Sequence, residues 1–111
     1  MRNVALKGDS LNGVHPAGLM TASFTGNIYT GSPNVYINGR QAARVGDTTI
    51  TYCPLHVDNS GKIIPQYGKV VMGSSKVFIN GMPAAYALET IQPHAGTASL
   101  TGGGSTSVFI E

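Results

Sequence analysis

One phrase occurs three times in this chain, and it constrains the fold more than any other feature. Gly31-Ser32-Pro33-Asn34-Val35-Tyr36-Ile37 returns as Gly73-Ser74-Ser75-Lys76-Val77-Phe78-Ile79 and again as Gly104-Ser105-Thr106-Ser107-Val108-Phe109-Ile110. The spacings from glycine to glycine are 42 and 31 residues. Repetition at such a period means that one supersecondary unit is used several times. Three copies in 111 residues predict one small body with approximate three-fold symmetry, a single domain over residues 1–111.

The first two copies continue alike. Ile37-Asn38-Gly39 leads into Arg40-Gln41-Ala42-Ala43-Arg44, and Ile79-Asn80-Gly81 leads into Met82-Pro83-Ala84-Ala85-Tyr86. Asn-Gly between β-rich runs marks a two-residue hairpin turn, because a type I′ turn needs positive φ at both central positions. Eight of the positions aligned between 31–44 and 73–86 are identical, too many for two unrelated loops. The third copy stops where its turn is due. Its second half reads at the other end of the chain, where Arg2-Asn3-Val4-Ala5-Leu6-Lys7-Gly8-Asp9 aligns with Arg40 to Asp47 at a constant offset of 38. Pairing of the two terminal strands would complete the third hairpin.

Helix signals are poor. Gly or Pro interrupts every candidate window, and the best, Pro83 to Ile91, competes with its own strand reading. The expected fold is all-β, built from three short pseudo-three-fold-related hairpins. Its core is thin, with no Trp and three Phe against 15 Gly, so an extra staple would help. A net charge of +2 without a basic run gives no support for nucleic-acid binding. The N-terminus has no signal-peptide pattern and no stretch reaches membrane-spanning length, so the chain is expected in the cytoplasm on synthesis.

The staple is visible in the histidines. The chain has three, His15, His56 and His94, each upstream of one Gly-Ser block, and its one cysteine, Cys53, stands three residues before His56. Three-fold-related loops would bring the imidazoles to a common axis. Three imidazoles and a thiolate make a closed tetrahedral shell that suits zinc. With four protein donors the ion is structural, and no catalytic residues are expected. The acids of Gly8-Asp9, Gly46-Asp47 and Leu88-Glu89 read first as turn formers and second as groups orienting the imidazoles.

At these residues the chain resembles the PAAR-repeat proteins. The resemblance is carried by Ile37-Asn38-Gly39-Arg40-Gln41-Ala42-Ala43-Arg44-Val45-Gly46-Asp47 and by Ile79-Asn80-Gly81-Met82-Pro83-Ala84-Ala85. Gln41 replaces the motif's Pro in one copy, and Tyr86 replaces its Arg in the other. The resemblance implies a conical β-structure with zinc near its apex, held by His15, Cys53, His56 and His94. It implies that the base of the cone caps the blunt end of a trimeric VgrG-type spike of a type VI secretion system, one copy per trimer. Effector cargo and export at the tip of the machine are implied too. A phage tail-spike tip of the same fold is the nearest alternative, and a small zinc hydrolase a remote one. A glycan- or protein-binding module using Tyr29, Tyr52 or Tyr67 is a third reading, although partial core or cap surface suits those tyrosines better. Lys69-Val70-Val71 and Val35-Tyr36-Ile37 are the candidate edges toward the spike.

Overall fold

The computed structural model describes residues 2–17, 20–94, 96–105 and 108–110; the side chains of Ala17, Met20 and Ile110 are not described. Twelve strands and no helix occur among the described residues: β1 (Arg2–Asn3), β2 (Ser10–Ala17), β3 (Met20–Ile28), β4 (Tyr36–Ile37), β5 (Arg40–Gln41), β6 (Thr48–Tyr52), β7 (Gln66–Val70), β8 (Gly73–Ile79), β9 (Met82–Ala85), β10 (Thr90–Gln92), β11 (Thr97–Leu100) and β12 (Phe109–Ile110). The fold is all-β. The weak helical reading of Pro83 to Ile91 gives way to β9 and β10, because Pro83 and Ala85 are claimed by the hairpin with β8.

Two layers share the three-fold pattern. Three two-stranded sheets, β4–β5, β8–β9 and β1–β12, form one end. Asn38 and Asn80 have φ of 53°, and the glycines after them 82° and 83°, which are the positive angles a type I′ turn demands. The β1–β12 ladder pairs Arg2 with Ile110 and Asn3 with Phe109, the same relation as Arg40 with Ile37 and Gln41 with Tyr36 in β4–β5. Thr106 and Ser107 of the third phrase lie outside the described residues. The second layer is a closed six-stranded barrel in the order β10-β11-β2-β3-β6-β7, made of three longer hairpins. Each starts after an acidic corner and returns to a Gly-Ser phrase, so its turn lies at the end opposite the Asn-Gly turns.

The layers meet at a ring of backbone bonds. Ala5 N–H donates to Ala85 C=O at 2.9 Å, Ala43 N–H to Ala5 C=O at 2.9 Å, and Ala85 N–H to Ala43 C=O at 3.0 Å. All three alanines are fully buried. Their methyls face the barrel core, with Leu11, Phe24, Ile28, Val70, Ile91 and Leu100. The neighbouring Val4, Ala42 and Ala84 alternate to the other side and join Ile79 in a second core beneath the ring. The recurrent Gly-Ser serves this junction. A Cβ on Gly73 or Gly104 would come within 2.7 Å of Ala84 O or 2.3 Å of Val4 O, so only glycine admits the carbonyl from the second half of its own copy. Ser32, Ser74 and Ser105 are buried, and each hydroxyl oxygen accepts the N–H three residues on at 2.9 Å.

The acidic corners are turns. The Asp9 carboxylate accepts Leu6 N–H at 2.9 Å, and that of Asp47 accepts Arg44 N–H at 2.7 Å. None of the hydrogen bonds made by these carboxylates reaches an imidazole. Each acid has one arginine: Asp9 meets Arg40 at 2.8 Å, Asp47 meets Arg44 at 3.0 Å, and Glu89 meets Arg2 at 2.8 Å. The Arg2 hydrogen bond holds the Glu89 carboxyl below its ordinary range. Met82 occupies the position of Arg40 and Arg2 and reaches no acid, and in that sector Arg44 of the motif supplies the charge. Tyr86, where the motif has Arg, instead receives the Arg2 guanidinium over its ring at 4.1 Å.

One sequence expectation needs correction. Lys69-Val70-Val71 offers no spike-facing edge from β7, because that strand pairs with β6 on one side and β10 on the other, and Val70 is buried. Of the two placements expected for Tyr29, Tyr52 and Tyr67, partial core or surface, the structure gives the surface: all three are exposed.

The corners also hold one strained position. Gly8 and Gly46 have φ of 92° and 96°, and their equivalent is Leu88 at 61°. A left-handed conformation costs an L-residue roughly 1–2 kcal/mol. The Leu88 side chain is 60% exposed, so little burial offsets this. Leu88→Gly is expected to raise the melting temperature by a few degrees; a fall would show that the Leu88 side chain stabilises the corner.

Candidate metal centre

The barrel strands deliver four donors to one point. In β2, Leu11, Gly13 and His15 fall on the inner face by strand alternation. Gly13 stands opposite Phe24 of β3, and a Cβ there would lie 2.4 Å from the Phe24 ring and 2.6 Å from Thr97 O. The missing side chain is what lets Phe24, the one fully buried large aromatic, fill the barrel beside the histidines. Cys53 and His56 follow β6. His56 N–H donates to Cys53 C=O at 3.1 Å, closing the turn that points both side chains the same way. His94 sits in the connection between β10 and β11. His15 therefore lies within a strand rather than in a loop, while the other three donors are in connections as expected.

The imidazoles form a near-equilateral triangle, with ring centroids 5.1, 5.3 and 4.8 Å apart. Cys53 Sγ lies 3.5 Å from His15 Nδ1 and is fully buried. The four donor atoms all fall within 4.8 Å of one another. Donors on a tetrahedral zinc stand about 3.3–3.8 Å apart, so one ion fits once the widest pair draws in by roughly 1 Å.

The bonding pattern favours such an ion. His56 Nε2 and His94 Nε2 are buried and have no hydrogen-bond partner among the described residues. Buried nitrogens without partners are costly unless something else occupies their lone pairs. Thr51 fixes the tautomer of His94. Its hydroxyl donates to Gln66 C=O at 3.2 Å and lies 3.2 Å from His94 Nδ1, so it accepts Nδ1–H and leaves the Nε2 lone pair free. Sequence reasoning missed Thr51, because β6 reads there only as a β-branched run. Burial, and then the neighbouring His56 and His15, lower the pKa of His94 and keep it neutral further into acid. Phe24 closes the site against His94, 4.9 Å between ring centroids.

The comparisons with known proteins agree with this architecture. The sequence matches the PAAR motif family over residues 19–95, more than half of the chain, and the chain belongs to that family. The matched span contains Cys53, His56 and His94, and His15 precedes it. Over 68 residues, 61% of this chain, the sequence is 43% identical to double-stranded DNA deaminase toxin A of Burkholderia cenocepacia (strain H111), and the chain spans 4% of that protein's length.

A bound ion would tie three barrel hairpins together at the end farthest from the alanine ring. Cys53→Ser, or a strong chelator applied to the wild type, is expected to lower the melting temperature by more than ten degrees. Metal analysis is expected to give one zinc per wild-type chain. An unchanged melting curve in metal-free protein would remove the centre from the account.

Proposed function

We propose that residues 1–111 act as one PAAR unit that caps and sharpens the end of a trimeric β-helical spike in a contractile injection machine of the type VI kind. PAAR-motif proteins are caps of VgrG spikes. The observation that carries the reading for this chain is its three-fold construction: three equivalent short sheets at one end and one convergence of donors at the other. A single asymmetric chain that must sit on a trimer has a use for three similar faces. Open strand edges at a spike end invite uncontrolled pairing, and a cap can satisfy them by strand addition.

The role is mechanical rather than catalytic. His15, Cys53, His56 and His94 are the proposed ligands, and zinc suits three imidazoles and a thiolate. A hydrolase would need an open coordination position and a base beside it, whereas four protein donors fill a tetrahedral shell. The acids at the corners are engaged by Arg40, Arg44 and Arg2. Cargo is proposed as well, because a protein with a toxin's name shares this sequence pattern. A phage tail tip would use the same fold and the same ion.

The test is assembly. Purified trimeric spike protein from the same genome, mixed with this chain and resolved by size, is expected to form a complex of one chain per trimer. A chain that stays separate from the spike at micromolar concentrations contradicts the reading.

A further inference from the structure

The end opposite the metal centre carries a feature that the fold itself does not use. Tyr36, Phe78 and Phe109 occupy the same position in the three copies, and they are 55%, 57% and 46% exposed. Each sits in a two-stranded sheet, directly across from Gln41, Pro83 and Asn3 respectively. In the first two sheets the flanking residues, Val35 and Ile37 or Val77 and Ile79, alternate to the other face and pack in the second core. The aromatic rings lie on the face that this core leaves out. Gln41 Nε2 donates to the Tyr36 hydroxyl at 3.3 Å.

The surroundings of these rings differ from copy to copy. Arg40, Met82 and Arg2 share one position; Gln41, Pro83 and Asn3 the next; Arg44, Tyr86 and Leu6 a third. The exposed site stays aromatic in all three. Core packing does not account for that, because about half of each residue is exposed. Aromatic residues are enriched where proteins bind one another, and a few of them carry most of the binding energy.

We infer that Tyr36, Phe78 and Phe109 are a three-point docking set for the blunt end of the trimeric spike, one ring for each spike subunit. This rests on the spike-tip reading and deepens it by naming the anchors. The three-fold equivalence selects the occupant. A partner without symmetry, or a second copy of this chain, meets one or two of the rings. A three-fold partner presents the same pocket three times and engages every one. Near-equal anchors also remove any need for a fixed rotational register, because each of three settings places an aromatic ring in each pocket.

The experiment is a binding titration of purified trimeric spike from the same genome with the full, zinc-loaded chain. Tyr36→Ser, Phe78→Ser and Phe109→Ser are each expected to weaken binding about tenfold. The triple variant is expected to lose measurable binding, while Tyr67→Ser, which changes an exposed tyrosine on the barrel, keeps wild-type affinity. Zinc content and melting curve check that each variant is folded; if the triple variant loses its zinc, the three single variants decide. Wild-type affinity in the folded triple variant, or in all three single variants, overturns the docking set. So does a loss confined to self-association of this chain. A wild-type chain that fails to bind the spike is a different result, since it removes the spike-tip reading beneath the proposal.

Discussion

Three backbone hydrogen bonds, passed in a circle through Ala5, Ala43 and Ala85, are the constraint on which the rest of this structure depends. They bring three segments, from near residues 5, 43 and 85, onto one axis. Segments that meet on an axis have no room for side chains, so the positions are alanine and fully buried. The phrase glycines follow from the same crowding, since the carbonyls of Val4 and Ala84 approach where a Cβ would stand. From the ring the chain extends both ways, into short sheets on one side and barrel hairpins on the other.

The barrel side has the harder physical problem. Its interior is lined mainly by alanine and single aliphatic residues, with Phe24 the one large aromatic. Such a core gains modest hydrophobic stabilisation. At the far end the three hairpins converge on polar donors, including two buried nitrogens without partners among the described residues. Taken without an ion, that end is a cost. With a metal it becomes the second closure of the axis, and structural zinc contributes on the order of 10 kcal/mol in small zinc-binding peptides. The alanine ring and the donor cluster then hold the two ends of the barrel.

Much of this was legible in the residues, for definable reasons. Asn38-Gly39 and Asn80-Gly81 announce their turns because few other pairs accept positive φ twice. The placing of His15, His56 and His94, one upstream of each Gly-Ser block, with Cys53 three residues before His56, points to the donor cluster before any coordinates. The barrel was not legible. Ser10–Ala17 and Met20–Ile28 contain Gly13, Pro16 and Gly26, which read as breakers, yet Gly13 is required by the Phe24 ring. Lys69-Val70-Val71 looked like a free edge because its pairing with both β6 and β10 depends on barrel closure, a non-local event. The charge pairing of the copies also needed coordinates: Arg44 serves Asp47 where Met82 cannot, and Tyr86, which stands where the motif has Arg, takes the charge of Arg2 on its ring.

The central claim is that an ion on the pseudo-three-fold axis binds one donor from each barrel hairpin, plus the thiolate. X-ray absorption at the zinc edge of the purified, unmodified chain tests this most directly. The account predicts a four-coordinate site with three nitrogen donors at about 2.0–2.1 Å and one sulfur at about 2.3 Å. A site without sulfur, a six-coordinate oxygen shell, or protein that carries no metal when purified in its presence would contradict it.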